Sequence, residues 1–127
     1  METIKGKEDV NMEINTFDVL LVDFGKIEFC GEQAGKRPAV VIQNALGNKY
    51  SNTTIVIPFT TAIKNLHQPT HSLFVKGTAG LAENSMLLGE CIRQISKQRI
   101  IKKIGAINDK ATRLEVKRVF ESNFGEV

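Results

Sequence analysis

The 127-residue sequence predicts a mainly β domain, an SH3-like antiparallel β-barrel covered on one side by a C-terminal helix. Three observations carry that prediction. Short runs rich in Val, Ile, Leu, Thr and Phe recur along the chain and are separated by stretches of Gly, Asn and Ser. Only the segment after Asn108 has apolar residues at helical spacing. The composition, 42% hydrophobic and 24% charged with 10 Gly and 3 Pro, is that of one ordinary globular domain, and its length suffices for one core without disulfide or metal staples.

Residues 1–15, METIKGKEDVNMEIN, are polar, mixed in charge and without period, and predict a flexible N-terminal extension ahead of a single domain over 16–127. DVLLVDFG opens that domain as a strand over 18–24, stopped by Gly25. Residues 25–36 hold three glycines among polar residues and predict a surface loop longer than a hairpin turn requires, a kind that often carries function. After Arg37 a second strand spans 38–43, with Pro38 at its first residue, where a missing N–H does least harm. ALGNKYSN reads as a turn, and TTIVIPFTT as a third strand whose Pro58 argues for a sheet edge or a bulge. PTHSLFV and NSMLLGECIRQIS, on either side of the loop KGTAGLAE, complete five strands. A helix of about 13 residues then follows a cap at Asn108 or Asp109, with Ala111, Leu114, Val119, Phe120 and Phe124 as its apolar positions.

No apolar run approaches the ~20 residues that span a bilayer, and the first fifteen residues lack the apolar stretch of a signal peptide, so a cytoplasmic protein is expected. Cys30 and Cys91 have neither CxxC spacing nor companion histidines, which predicts thiols rather than a zinc site or a disulfide. The net charge of +3 and pI near 9.0 permit an anionic partner without demanding one. GxGxxG, P-loop, HExxH, GxSxG and EF-hand patterns are all absent.

The residues that remain as chemistry are fewer. Glu32, Gln33, Lys36 and Arg37 gather where the long loop meets the second strand, so an acid, an amide and two cations can face one ligand. A solvated loop with Arg37 paired to a carboxylate fits the same residues. Thr60 and Thr61 end the third strand and can donate to a phosphoryl oxygen, or serve simply as β formers. His67 and His71 are candidate bases without a sequence-adjacent partner, imidazole being the side chain best suited to proton transfer near neutral pH. Lys97, Arg99, Lys102 and Lys103, set between isoleucines, suit a phosphate-contacting face as well as a solvated turn. Aromatic residues are few, seven Phe and Tyr50, so a base-stacking platform has little support.

In order along the chain, DVLLVDFG, GEQAGKRPAVVIQN, GNKYSNTTIVIPFTT, PTH and SMLLGECIRQISKQRI resemble the MazF/PemK family of toxin endoribonucleases over about residues 17–120. The specific part is E-Q-x-G-x-R-P followed by V-V-I-Q-N. The resemblance implies the CcdB/MazF/PemK type of fold and a homodimeric, metal-independent mRNA interferase of a type II toxin–antitoxin system. Such a toxin cleaves single-stranded RNA at short sequences, inhibits translation and growth, uses no cofactor, and is held inactive by a cognate antitoxin in a DNA-binding complex. By position, Arg37 matches the family's catalytic arginine, Thr60 its catalytic threonine and Glu32 an acid at the edge of the site. Gln33, Lys36, Asn44, Lys49, Thr61 and Arg93 are the expected RNA contacts. This chain departs from the family at Phe17, commonly Gly, at Gly31, commonly Ser, and at Cys91, commonly Gln. The alternative reading is a non-enzymatic CcdB-like toxin that binds and poisons DNA gyrase, which leaves Arg37 and Thr60 without a role. A third is an inactive relative acting only as an antitoxin-bound regulator.

Overall fold

In the computed structural model, which describes residues 12–26 and 34–125, the apolar runs form one antiparallel sheet. Its strands are β1 (Asp18–Asp23), β2 (Lys36–Val41), β3 (Thr53–Thr60), β4 (His71–Phe74), β5 (Ser85–Leu88), β6 (Arg93–Ser96) and β7 (Ile100–Ala106). The pairing order is β4-β5-β3-β2-β1-β7, with β6 also on β3, and the helices are α1 (Ala45–Tyr50) and α2 (Lys110–Glu121). The fold class is as the sequence predicts, a mainly β antiparallel architecture with a C-terminal helix, although the sheet does not close into a barrel among the described residues.

Both faces of the central strands are buried. Val19, Val40 and Ile57 point to one side, where they pack with Phe59, Leu87 and with Val116 and Val119 of α2. Leu20, Val22, Ala39, Val41 and Val56 point to the other, against Ile14, Phe24, Ile95 and Ile100. Successive strand residues alternate sides, so a strand covered twice must be apolar at every position, which is why LLV, AVV and IVI are continuous rather than alternating runs. Of the predicted extension over 1–15, residues 1–11 lie outside the described residues, whereas Ile14 is buried and Met12 packs beside it.

Four local expectations change. NSMLLGECIRQIS is two strands, because a 3-10 turn at Gly89–Cys91 redirects the chain between β5 and β6. IIKKIGA, not predicted as a strand, is β7; it lies at the sheet's end, leaves Lys102 and Lys103 exposed and shifts register twice against β1, which hides its period. Lys103 there pairs with the buried Asp18 carboxylate at 3.1 Å. ALGNKY is a helical turn rather than a loose one: Asn44 accepts from the Gly47 N–H at 2.9 Å, and buried Asn48 is held by the Thr54 hydroxyl at 2.7 Å and, through its carbonyl, by the Lys97 ammonium. Finally, β3 is central and not an edge. The Ile42 N–H donates to the Ile55 carbonyl at 2.9 Å, and the two-residue alternation of the ladder turns the nitrogen of Pro58 away from β2. On that far side β3 changes partner, from β6 over Thr53–Val56 to β5 over Phe59–Thr60, so no ladder bond is lost at the proline.

Asp109 caps α2, accepting from the Thr112 N–H at 2.9 Å. Its buried positions are Val116 and Val119, while Leu114 and Phe124 are exposed. The packing face is set by Gly89, whose missing side chain lets Val119 approach; a Cβ there would lie 2.5 Å from it. A tighter approach occurs at Gly105 on β7, where a Cβ would lie 2.3 Å from the Ala79 carbonyl oxygen. Backbone cannot yield as a side-chain tip can. Gly105→Ala is therefore expected to cost about 1–3 kcal/mol, the usual penalty of overpacking, read as a lower urea midpoint. An unchanged midpoint would show that the 78–80 turn moves freely.

Phe17 precedes β1 with φ 74°, the left-handed region that glycine enters without strain and a bulky side chain enters at a cost of about 1–3 kcal/mol. Its neighbours hold it there: its N–H donates to Val41 at 2.8 Å, its carbonyl accepts from Ile107 at 2.9 Å, and the Arg113 guanidinium lies 4.8 Å from its ring.

Candidate active site

The β1–β2 connection is pinned where it leaves and re-enters the sheet. The Phe24 N–H donates to the Gly35 carbonyl at 2.9 Å and the Gly35 N–H to the Gly25 carbonyl at 2.7 Å, with φ of 80° at Gly25 and 76° at Gly35. Lys36 and Arg37 therefore enter β2 at a fixed point. Arg37 is half-buried, and its Nε donates to the Ala34 carbonyl at 2.7 Å, which ties the guanidinium to the last residues of the loop. That bond uses one of the five donors of the group.

Thr60 ends β3, half-buried, with its hydroxyl accepting from the Ala62 N–H at 3.1 Å. The β2–β3 ladder sets Ala39 across from Pro58; the same offset carried two residues further sets Arg37 across from Thr60. A permanent cation and a hydroxyl thus meet at one end of two central strands, with exposed Thr61 next to them. Arg93 reaches the same end indirectly. It lies on β6 across from Val56, and its guanidinium is 5.3 Å from the ring of Phe24 at the base of the loop.

Glu32 and Gln33 lie outside the described residues. Asn44 and Lys49 belong to the α1 connection at the opposite end of the β2–β3 pair, so within one chain they are not brought to Arg37. The basic segment that follows Arg93 does not form one face. Lys97 is buried against α1, Arg99 donates to the Asp23 carbonyl at 3.1 Å, and Lys103 is paired with Asp18. Sequence reading names Arg99 as one of four candidate phosphate contacts but not its place beside the loop base, which depends on the chain crossing back after β6.

His71 is not available as a base. It is buried, with Nδ1 2.9 Å from the Asn65 carbonyl and Nε2 2.8 Å from Glu90 Oε2, so both ring nitrogens face acceptors, an arrangement that favours the protonated ring. Burial pulls the His71 pKa down, but the hydrogen bonds to Glu90 and Asn65 outweigh it and raise the pKa above 6.5. Burial likewise pushes Glu90 up, and the bond from His71 reverses this, leaving it below 4.5. The raised histidine stabilises the fold fully below pH 6.5 and loses that contribution as pH rises through its folded value; the lowered carboxylate contributes above pH 4.5 and loses it as pH falls. Glu90→Gln should therefore destabilise most between about pH 4.5 and 6.5, and the gap should narrow on going to pH 8.5. Urea unfolding of both proteins across that range tests it, and a pH-independent gap would contradict the ion pair.

Among the described residues no three His, Cys, Asp or Glu side chains gather as a metal site, and no helix is long and apolar enough to cross a membrane. Residues 15–123 match the family model described as PemK-like, MazF-like toxin of type II toxin-antitoxin system. The chain belongs to the PemK/MazF toxin family. Relatives of this toxin include the endoribonuclease MazF of Staphylococcus saprophyticus, 38% identical over 108 residues that cover 85% of this chain and 88% of the relative. The MazF of Staphylococcus epidermidis is 36% identical with the same coverage. In fold the toxin resembles MazF from Deinococcus radiodurans, with a TM-score of 0.72 and 19% identity over 87% of this chain and 94% of that one. It also resembles a mycobacterial endoribonuclease solved with its cognate antitoxin, with a TM-score of 0.68 and 15% identity over 86% and 92% of the two chains. The family match and the curated relatives favour the endoribonuclease over the CcdB-like gyrase poison.

Proposed function

We propose that this endoribonuclease toxin cuts single-stranded RNA at short sequences by attack of a ribose 2′-hydroxyl on the adjacent phosphorus, with Arg37 and Thr60 at the reacting phosphate and Glu32 at its edge. The observation that supports the site most is the β2–β3 offset, which sets Arg37 across from Thr60 beside a pinned loop. In-line attack concentrates negative charge on the equatorial phosphoryl oxygens. A guanidinium, charged at every working pH and forked, meets that charge better than an ammonium, and a threonine hydroxyl adds a neutral donor. The new bond joins the 2′-oxygen to phosphorus, the bond to the 5′-oxygen breaks, and the products are a 2′,3′-cyclic phosphate and a 5′-hydroxyl. Because the nucleophile belongs to the substrate, no metal-bound water is needed.

Gln33, Lys36, Thr61 and Arg93 then contact RNA around the reacting phosphate, and Asn44 and Lys49 reach it from the partner subunit of a homodimer. A cognate antitoxin restrains the toxin in the cytoplasm, where its mRNA substrate is. Incubating the purified protein with a long RNA in excess EDTA tests the reading: discrete fragments whose 5′ ends share a short sequence are expected. RNA left intact, or cleaved only when Mg²⁺ is restored, would overturn it.

A further inference from the structure

The row of strand ends that carries Arg37 and Thr60 continues past them. Val22 of β1 lies across from Arg37 on one side and from Ile100 on the other, so Thr60, Arg37, Val22 and Ile100 form one line across four strands. Residues paired in this way share a face of the sheet, and Arg93, across from Val56, shares it too. Arg99 stands immediately before Ile100, in the turn that leads into β7, and is exposed.

Its guanidinium is anchored by backbone and not by charge. Nη1 donates to the Asp23 carbonyl at 3.1 Å, and the missing side chain of Gly25 makes room for it, since a Cβ there would lie 3.2 Å from Nη1. Three arginines thus converge on the end of β1: Arg37 beside Val22, Arg93 over the Phe24 ring at 5.3 Å, and Arg99 on the Asp23 carbonyl. Among the described residues no carboxylate forms an ion pair with any of them. The Asp23 carboxylate accepts instead from the Gly25 N–H at 2.9 Å. No Asp or Glu occurs between Glu32 and Glu83, so β2, β3 and β4 add no negative charge. Lys97 and Lys103, by contrast, are committed to the Asn48 carbonyl and to Asp18. A guanidinium that gives one donor to a backbone carbonyl keeps most of its planar fork for an anion.

Neighbouring strands lie about 4.8 Å apart, so the step from β2 across β1 to β7 is about 10 Å, which an extended RNA strand covers in about one or two nucleotides. We propose that Arg99 is a further phosphate-binding residue of this toxin, gripping a phosphate one or two nucleotides from the reacting one and so directing the RNA backbone across the strand ends from β3 towards β7. The inference rests on the reading of Arg37 and Thr60 as the site of the reacting phosphate. Arg99 takes no part in bond breaking; it sets affinity and register.

Arg99→Gln removes the charge and keeps a donor, whereas Arg99→Lys keeps the charge and loses the fork. On a single-stranded RNA containing the cut sequence, Arg99→Gln is expected to raise KM about 5- to 10-fold and to leave kcat within about twofold, the signature of lost uniform binding. Fluorescence anisotropy over a range of KCl concentrations, with the uncleavable 2′-O-methyl form of the same strand, should show the slope of log K against log salt flattened by about 0.7, one phosphate contact, in Arg99→Gln and unchanged in Arg99→Lys. A neutral methylphosphonate placed in turn at each of the two phosphates on either side of the cut should, at one position, abolish the Arg99→Gln penalty. An unchanged salt slope in Arg99→Gln, the same flattening in Arg99→Lys, or a penalty that survives at all four positions would overturn the proposal. A fall in kcat with KM unchanged would make Arg99 a prop of the loop base and overturn it as well. Should the unmodified protein leave RNA intact, the nuclease mechanism falls, and the salt titration, run on a mixed-sequence 2′-O-methyl strand, decides Arg99 by itself.

Discussion

Replacing the 2′-hydroxyl by hydrogen at the one nucleotide preceding the cut is expected to abolish cleavage at that position while leaving cleavage at other copies of the recognised sequence intact. The nucleophile is then gone, and neither Arg37 nor Thr60 is able to replace it, since a guanidinium cannot be deprotonated under these conditions and a threonine hydroxyl is a poor nucleophile without an adjacent base. Binding should change little, because most affinity for a nucleic acid resides in its phosphates. The deoxy-substituted RNA is thus expected to act as a competitive inhibitor, with an inhibition constant close to the KM of the all-ribose substrate. Capillary electrophoresis of the fragments gives the rate, and a cyclic phosphate at the 3′ end of the upstream fragment gives the bond order. Cleavage of the substituted position at the ribose rate would mean that water, not the substrate, attacks phosphorus.

Arg37→Ala should lower the cleavage rate by about 10²- to 10³-fold, the usual loss when a main donor to a developing oxyanion is removed, and Thr60→Ala somewhat less. Fold stability should barely respond. Arg37 is half-buried at the mouth of β2, and its one hydrogen bond, to the Ala34 carbonyl, is worth about 1–2 kcal/mol in such a partly solvated position. Arg37→Lys separates charge from geometry: it keeps the cation but loses the planar fork, so its activity should fall between those of the wild type and Arg37→Ala. Rates measured under single-turnover conditions, with thermal melts run alongside, distinguish a chemical defect from unfolding. An Arg37→Ala protein that melts normally and cuts at the wild-type rate would move the reacting phosphate elsewhere.

The sequence by itself determined the fold class and narrowed the cap of α2 to Asn108 or Asp109, because these depend on local chemistry, apolar runs and a capping oxygen, and its short motifs read in order pointed to Arg37 and Thr60. It did not reveal β7, since the lysines of that strand face solvent and its register shifts twice, so the segment shows no two-residue period. Nor did it show that β3 is central. Pro58 argued against that position, and only the change of partner from β6 to β5 removes the need for a donor there. His71 looked like a free base until folding brought Glu90, nineteen positions away, to 2.8 Å. Phe17 looked like a simple departure from a glycine; its left-handed backbone is held by bonds to Val41 and Ile107. These features share one cause. A propensity belongs to a residue and its neighbours in the chain, whereas a donor's partner, a strand's place in a sheet and a side chain's burial are set by segments that meet only once the chain has folded.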